Sequence, residues 1–394
     1  MSPAPADTPG AGPDRAPGTG PVGVAIVGAG VISAEYLRTL SRFPDVRLVA
    51  VADLDVARAA AAARAHGIPL SGDLPTVLAE PGVELVVNLT VPAAHARVAA
   101  AALRAGKHVY GEKPLTLTPA EAEKLLAEAT ERGLLLGGAP DTFLGAGLQS
   151  ALRAVRAGHI GAPVAATTAV QSLGPESWHP DPAFFYQPGA GPLFDLGPYY
   201  LTSLVALFGG VARVAATAAR ARRRRTVGSG PRAGESFPVD VETHVCALLE
   251  FASGVRANST FSFDSSLPRT RFEVTGTEGT LAVPDPNTFR GPLLLRPNGA
   301  DDWRELPVRG RTDGRGLGVV DMARTIRADR VTAIEGALST HRASGALALH
   351  VLHTMTAVSR SADSGTFVTL PAQPLPPAPL PEDWDPTAAT LGAG

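Results

Sequence analysis

The stretch that most restricts what this 394-residue chain can fold into is VGVAIVGAGVIS, residues 22–33. An apolar run enters Gly28-Ala29-Gly30, and the helix-like VISAEYLRTLSRF follows at once. A strand, a tight glycine turn and a helix start are what a dinucleotide pyrophosphate requires. Gly28 permits the turn, and Gly30 lets the backbone approach the phosphates. The N–H groups at the helix start add hydrogen bonds and a partial positive charge. Ser33 stands where a third glycine is usual, and it is small enough for close helix–strand packing.

The next stretches repeat the pattern. Val46–Ala52 (VRLVAVA) reads as a second buried strand ending in Asp53, 25 residues past Gly28. At that remove an acid meets the adenosine ribose hydroxyls. Leu54 follows where an arginine would favour a 2′-phosphate, so the residues favour NAD without excluding NADP. The bland alternative for Asp53 is a cap on a helix over 55–66. ELVVNL (84–89) ends in Thr90-Val91-Pro92, with His95 starting a helix. KHVY (107–110) runs into Gly111-Glu112-Lys113-Pro114. A helix over 118–133 opens with Thr118-Pro119 and a Glu121 suited to a capping box. LLLGG (134–138) reads as the sixth strand. Alternating strands and helices predict a doubly wound parallel sheet covered on both faces. Asp53, Thr90 and Lys113 fall at strand carboxyl ends, where such sheets bind ligands.

From Phe143 the pattern changes. A helix over 145–158 gives way to β-rich segments: VAATTAV, HVCALLEFASG, VRANSTFSFD, RFEVTG and TLAVP. Turn residues between them predict a mostly antiparallel sheet. A helix from Phe194 to Phe208 interrupts it. Two late helices, about 318–333 and 342–361, precede a last strand, TFVTL. The fold class expected is α/β, with a second α+β domain carrying a mostly antiparallel open sheet. The expected boundaries are a disordered tail over 1–20, domains over 21–142 and 143–370, and a Pro-rich strap or tail over 371–394.

Composition narrows the function classes. A formal net charge of -2 and a pI near 6.5 point to neither nucleic acid nor an anionic membrane. Arg222-Arg223-Arg224-Arg225 reads as a solvated loop, because no aromatic residues interleave it. The single cysteine, Cys246, removes any internal disulfide framework and every Cys-based metal motif. Residues 1–21 lack the apolar core of a signal peptide, and no segment reads as a membrane span. A soluble, cytoplasmic protein is expected.

These residues resemble the glucose-fructose oxidoreductase/inositol dehydrogenase (Gfo/Idh/MocA) family of NAD(P)-dependent oxidoreductases, over about Val22 to Leu370. The markers are GAGVIS, Asp53, Thr90-Val91-Pro92 with His95, Glu112-Lys113-Pro114, and Asp195-Leu196-Gly197-Pro198-Tyr199. The resemblance implies an N-terminal Rossmann domain and a homodimer or homotetramer formed through the C-terminal sheet. It implies that Gly28, Ala29, Gly30, Val31 and Ile32 contact the pyrophosphate, and Asp53 the adenosine ribose. Thr90, Pro92, His95, Glu112 and Lys113 would line the nicotinamide end. Lys113 would also bond the reacting oxygen of a sugar, cyclitol or similar small molecule, with Asp195 and the residue four further on completing the site.

Hydride transfer from an alcohol needs a cation near the oxygen and a group to carry the proton. Asp195 and Tyr199, at i and i+4, share one helix face. The family's usual histidine is Tyr199 here, with Tyr200 beside it as a candidate substrate contact. Tyrosine titrates at about 10 unperturbed, and a neighbouring ammonium would lower that, making Tyr199 the proton donor. The alternative is that Tyr199 only shapes the pocket and Lys113 moves the proton. Pro140-Asp141-Thr142-Phe143 stands where many members carry an Asn and an Arg, so Asp141 would repel an anion or accept a sugar hydroxyl. Trp178-His179 stands where Trp-Arg is frequent and is a candidate substrate contact. His244 would point into the site or merely pack. His350 and His353 lack a third ligand, so no metal is expected. Two other classes remain open: a non-catalytic ligand sensor on this scaffold, and an enzyme cleaving glycosides through transient oxidation by bound NAD.

Overall fold

The computed structural model describes residues 19–328, 341–371 and 374–392, and the main chain of the strands Ala333–Ile334 and Ala337–Leu338. The expected tail lies almost wholly outside the described residues. Strand β1 (Val22–Val27) is buried at every position, which is why its sequence is apolar without alternation. The first domain continues α1 (Val31–Leu40), β2 (Val46–Ala52), α2 (Val56–Ala65), β3 (Leu70–Gly72), α3 (Leu74–Ala79) and β4 (Leu85–Asn88). It closes with α4 (Pro92–Arg104), β5 (His108–Gly111), α5 (Pro119–Glu131) and β6 (Leu136–Gly138). The strands form one parallel sheet in the order β3-β2-β1-β4-β5-β6. The order reverses between β1 and β4, and there the sheet opens a crevice at its carboxyl edge. The capping box on α5 forms as the sequence implies, Thr118 and Glu121 each satisfying the other's backbone N–H. The short edge unit β3–α3 carries too few apolar residues to announce itself.

The second domain begins with α6 (Ala146–Arg156), β7 (Pro163–Gln171), α7 (Gly191–Phe208) and β8 (Val211–Ala219). A hairpin, β9 (Arg224–Thr226) and β10 (Ser236–Pro238), stands apart from its main sheet. Then come β11 (His244–Phe251), β12 (Arg256–Ser262), β13 (Arg269–Gly276), β14 (Gly279–Ala282), β15 (Leu293–Pro297) and β16 (Arg304–Leu306). The end of the domain is α8 (Leu317–Arg327), β17 (Ala333–Ile334), β18 (Ala337–Leu338), α9 (Gly345–Ser364) and β19 (Val368–Thr369). Nine strands form one sheet, β16-β15-β14-β13-β7-β12-β11-β8-β19, antiparallel except where β7 meets β12. Helices α7 and α9 cover one face. Helix α9 also packs on α5 and β6, and α8 on β1, so most buried apolar residues of both domains make one continuous core, with a smaller cluster around Tyr186 and Phe237 apart from it. Among the described residues no helix is long and apolar enough to cross a membrane.

Three expectations change. Helix α7 begins at Gly191, a turn before Phe194, with Pro192 in its first turn. Helix α8 ends at Arg327, and the rest of the span expected to 333 lies outside the described helix residues. The arginine run is not a solvated loop throughout. Strand alternation turns Arg225 inward, where it is 5% exposed, pairs with Glu176 and Asp264, and lies over the Tyr186 ring. Residues 374–392 run as an extended strap. Leu380 donates its N–H to Gln149 of α6, and Arg324 of α8 lies over the Trp384 ring. At its end, Thr390 and Leu391 donate to the fully buried Asp45, which Arg324 also binds at 2.7 Å.

Candidate active site

The crevice starts at Gly28. Its φ is +101°, and a Cβ there would stand 2.7 Å from the main chain of Leu89, so only glycine fits. A Cβ on Gly30 would meet nothing within 4 Å, and Val31 is 97% exposed. No side chain caps α1, whose first N–H groups face this open cradle. Ala29 and Ile32 are half-buried on the core beside it. Asp53 ends β2 and accepts the N–H of Ala29 at 2.7 Å and of Asp55 at 2.9 Å. The capping role on α2 belongs to Asp55, which accepts from Ala57 and Arg58. Asp53 therefore fastens the glycine turn to the neighbouring strand, beside an exposed Leu54. An open cradle, bare helix N–H groups and a carboxylate at the next strand end fit a dinucleotide.

Beyond β4, Asn88 accepts both the hydroxyl (2.7 Å) and the N–H of Thr90. Pro92 is exposed in the first turn of α4. Helix α4 starts there and not at His95, which is buried one turn in. The His95 ring stands 2.6 Å from the carbonyl of Pro114 and 2.9 Å from that of Thr90. Buried there, it ties the loop after β4 to the loop after β5. Glu112 is likewise largely buried. It accepts the Tyr36 hydroxyl from α1 and the N–H of Lys113, both at 3.0 Å, and so holds the Lys113 main chain in place.

Lys113 projects from this loop to α7. Its ammonium donates to the Asp195 carboxylate at 2.9 Å and to the Asp195 carbonyl at 2.8 Å, and stands 5.4 Å from the centre of the Tyr199 ring. Pro198 within α7 offers no N–H to the carbonyl one turn back, which loosens this part of the helix where the lysine docks. Burial favours the neutral amine, but the charges of Asp195 and Glu112 and the bond to Asp195 outweigh it. Lys113 titrates above the ordinary lysine range and is a cation at neutral pH. Tyr199, 6% exposed, behaves opposite to the expectation that an ammonium would lower it. Burial raises its phenol, and Lys113 and Arg315 oppose that only in part.

Several predicted residues lie elsewhere. Tyr200 turns about 100° from Tyr199 along the helix and packs in the core on Phe261 and Phe272, so it is no substrate residue. Asp141 is fully buried and accepts the N–H groups of Gly316 and Gly318 at the start of α8, where burial raises its carboxyl. Trp178 and His179 join Phe184 and Phe185 in a partly exposed aromatic cluster. His244 bonds Ser262 and Cys246 on the sheet. His350 accepts the N–H of Val211, and His353 faces Glu123. The residue that sequence reasoning missed is Arg315, which donates to the Tyr199 hydroxyl at 3.3 Å. Its only local signal is the flanking pair Gly314 and Gly316, both at positive φ.

Comparison with known proteins gives a consistent result. The family model described as oxidoreductase family, NAD-binding Rossmann fold, matches residues 22–138, and that of the GFO/IDH/MocA C-terminal domain matches residues 148–282. Trans-1,2-dihydrobenzene-1,2-diol dehydrogenase of Sus scrofa is 30% identical over 286 residues, 72% of this chain and 79% of that protein. The dTDP-3,4-didehydro-2,6-dideoxy-alpha-D-glucose 3-reductase of Streptomyces antibioticus is 33% identical over 271 residues, 67% of this chain and 76% of that protein. In fold, levoglucosan dehydrogenase in complex with NADH matches with a TM-score of 0.73 at 21% identity, over 89% of this chain and 99% of that one.

Proposed function

This chain belongs to the GFO/IDH/MocA family of NAD(P)-dependent oxidoreductases, and from that premise we propose that it moves a hydride between NAD and a sugar, cyclitol or related polyhydroxylated alcohol or carbonyl. The observation that carries this is the meeting of Lys113, Asp195 and Tyr199 at the carboxyl end of β5, in the crevice that begins at the open glycine turn. Bound NAD supplies the hydride acceptor at nicotinamide C4, and NADH the donor. The α1 N-terminus would hold the pyrophosphate, and Asp53 would exchange its bond to Ala29 for the adenosine ribose hydroxyls. The family enzymes that this chain resembles act on a diol and on a deoxysugar, which supports a substrate with neighbouring oxygens.

The residues divide the chemistry. An ammonium carries three donors, and Asp195 takes two from Lys113, leaving one for the substrate oxygen. That positive charge stabilises alkoxide character on the oxygen. Tyr199 is a neutral phenol at neutral pH and gives its proton to the oxygen during reduction; during oxidation the proton returns. Asp195 keeps Lys113 charged and aimed. The open face of the nine-stranded sheet, where β11 alternates buried with exposed residues such as Leu248, supports a homodimer or homotetramer, to be read by analytical ultracentrifugation.

The deciding experiment is calorimetric titration of wild type and Asp53→Ala with NAD, NADH, NADP and NADPH, followed by NADH formation on a panel of diols, cyclitols and sugars. Micromolar NAD(H) binding, weakened by the substitution, with turnover cut by about 100–1000-fold in Lys113→Ala, is the expected result. Failure to bind any of the four nucleotides would sink the proposal.

A further inference from the structure

Arg315 lies in the loop just before α8, far in sequence from every other group of the site, and its main chain is tightly held. The Thr39 hydroxyl of α1 donates to its carbonyl, and Gly314 and Gly316 flank it at φ +92° and +105°. Its side chain reaches the Tyr199 hydroxyl at 3.3 Å, with the guanidinium carbon 5.7 Å from the ring centre. Thus Tyr199 lies between two cations, Lys113 and Arg315.

The two cations are not equivalent. Lys113 is answered by the Asp195 carboxylate at 2.9 Å. Among the described residues no carboxylate comes within 4.0 Å of the Arg315 guanidinium nitrogens. The acids that face it lie further off, and all but one Asp141 oxygen are engaged. Glu112 holds Tyr36 and the N–H of Lys113, and one Asp141 oxygen holds the start of α8. Nη1 of Arg315 is buried with no hydrogen-bond partner among the described residues, so the one polar side-chain group the guanidinium meets there is the Tyr199 phenol. The groups that act on that phenol are Lys113 and Glu112 from the β5 loop, Asp195 from its own helix, and Arg315 from the α8 loop.

We infer that Arg315 is a positioning residue for the proton carrier: it orients the Tyr199 hydroxyl and stabilises the phenolate that forms as the proton leaves. The inference rests on the reading of Tyr199 as that carrier. In reduction the phenol O–H bond breaks, its proton goes to the substrate oxygen, and its electron pair stays on the phenolate. The hydride comes from NADH, and solvent later reprotonates the phenolate. Oxidation runs these steps backwards. An N–H···O bond from a guanidinium strengthens as charge builds on the oxygen, so it favours the transition state over the ground state. Lys113 cannot replace it, because its charge is already shared with Asp195.

The test compares wild type with Arg315→Met, Arg315→Lys and Tyr199→Phe, using two measurements. In the first, the free enzyme is titrated by tyrosinate absorbance, and subtracting Tyr199→Phe isolates the Tyr199 step. That step should move up by about one pH unit in Arg315→Met, the size expected for losing a charge-assisted bond, and partly return in Arg315→Lys. In the second, oxidation of trans-cyclohexane-1,2-diol by NAD is followed against pH. Turnover in Arg315→Met should fall about tenfold by the same reasoning. Oxidation needs the ionised Tyr199, so its rate should rise with pH through the Tyr199 step, and in Arg315→Met that rise should move up by the amount the titration shows, with KM for NAD unchanged. An unmoved Tyr199 step, or a loss confined to KM for the diol, would overturn the inference. If wild type does not turn this diol over, the absorbance titration alone decides the role of Arg315, while the proposed function is judged by nucleotide binding and the wider panel. If Arg315→Met does not fold, Arg315→Lys, which keeps charge but loses the planar fork, must still displace the step.

Discussion

In the proposed reaction Lys113 is the residue on which turnover depends, and its charge state is decided by competition. Burial alone would neutralise an ammonium, yet Asp195 at 2.9 Å reverses the balance. Lys113→Ala should therefore cut turnover by about 100–1000-fold, the usual loss of an oxygen-stabilising donor, with little change in NAD binding. Asp195→Asn should lower the lysine towards neutral pH and pull the alkaline limb of the rate profile down with it. Tyr199→Phe should cost about 100-fold or more in turnover and spare nucleotide affinity, measured by calorimetry. Both Lys113 and Tyr199 titrate above their ordinary values. Wild-type reduction should thus hold level through neutral pH and fall only at strongly alkaline pH, where their protons are lost. A fall near pH 7 would assign the proton to some other group.

At the scale of elements, the glycine turn and α7 do different work. Gly28→Ala should destabilise the first domain by at least about 1–2 kcal/mol from backbone conformation alone. Its Cβ would also collide with Leu89, and NAD affinity should drop at the same time. Chemical denaturation and calorimetry on one sample read both. Helix α7 presents Asp195 and Tyr199 to Lys113 while turning Tyr200 into the core, so one helix supplies both the proposed site and the packing that keeps it still. The buried Arg225, with Glu176 and Asp264, anchors the Tyr186 loop in the same way.

For the whole molecule, stability is tied to elements that bridge the domains. His341 lies buried against β6, and burial pushes its imidazole down to about 4. Between the ordinary histidine value and that figure, the unfolded chain takes up a proton that the folded chain refuses. Stability should accordingly fall as pH drops from about 6.5 towards 4. His341→Asn should flatten that part of the profile in urea unfolding. The strap matters more. Removing residues 374–392 uncovers Gln149, Trp384's partner Arg324, and Asp45, whose carboxyl is held below its usual range by Thr390, Leu391 and Arg324 despite its burial. A lower unfolding midpoint with NAD affinity retained is expected, because among the described residues no strap hydrogen bond reaches the glycine turn.

The sequence by itself determined the parallel sheet, the glycine turn, Asp53 at the end of β2 and the placement of Lys113, because these depend on local period, on positive φ and on strand ends. The same local logic correctly set Asp195 and Tyr199 on one helix face. It went astray at Arg225 and did not foresee the burial of Tyr200, His95 and Asp141, where the deciding fact is which neighbour a side chain meets across the fold. Only the tertiary structure brought Arg315 to Tyr199, across 116 positions of sequence. Only it made burial outweigh a neighbouring ammonium in setting the phenol. Desolvation and long-range charge depend on what the rest of the chain encloses, and no window of sequence contains that.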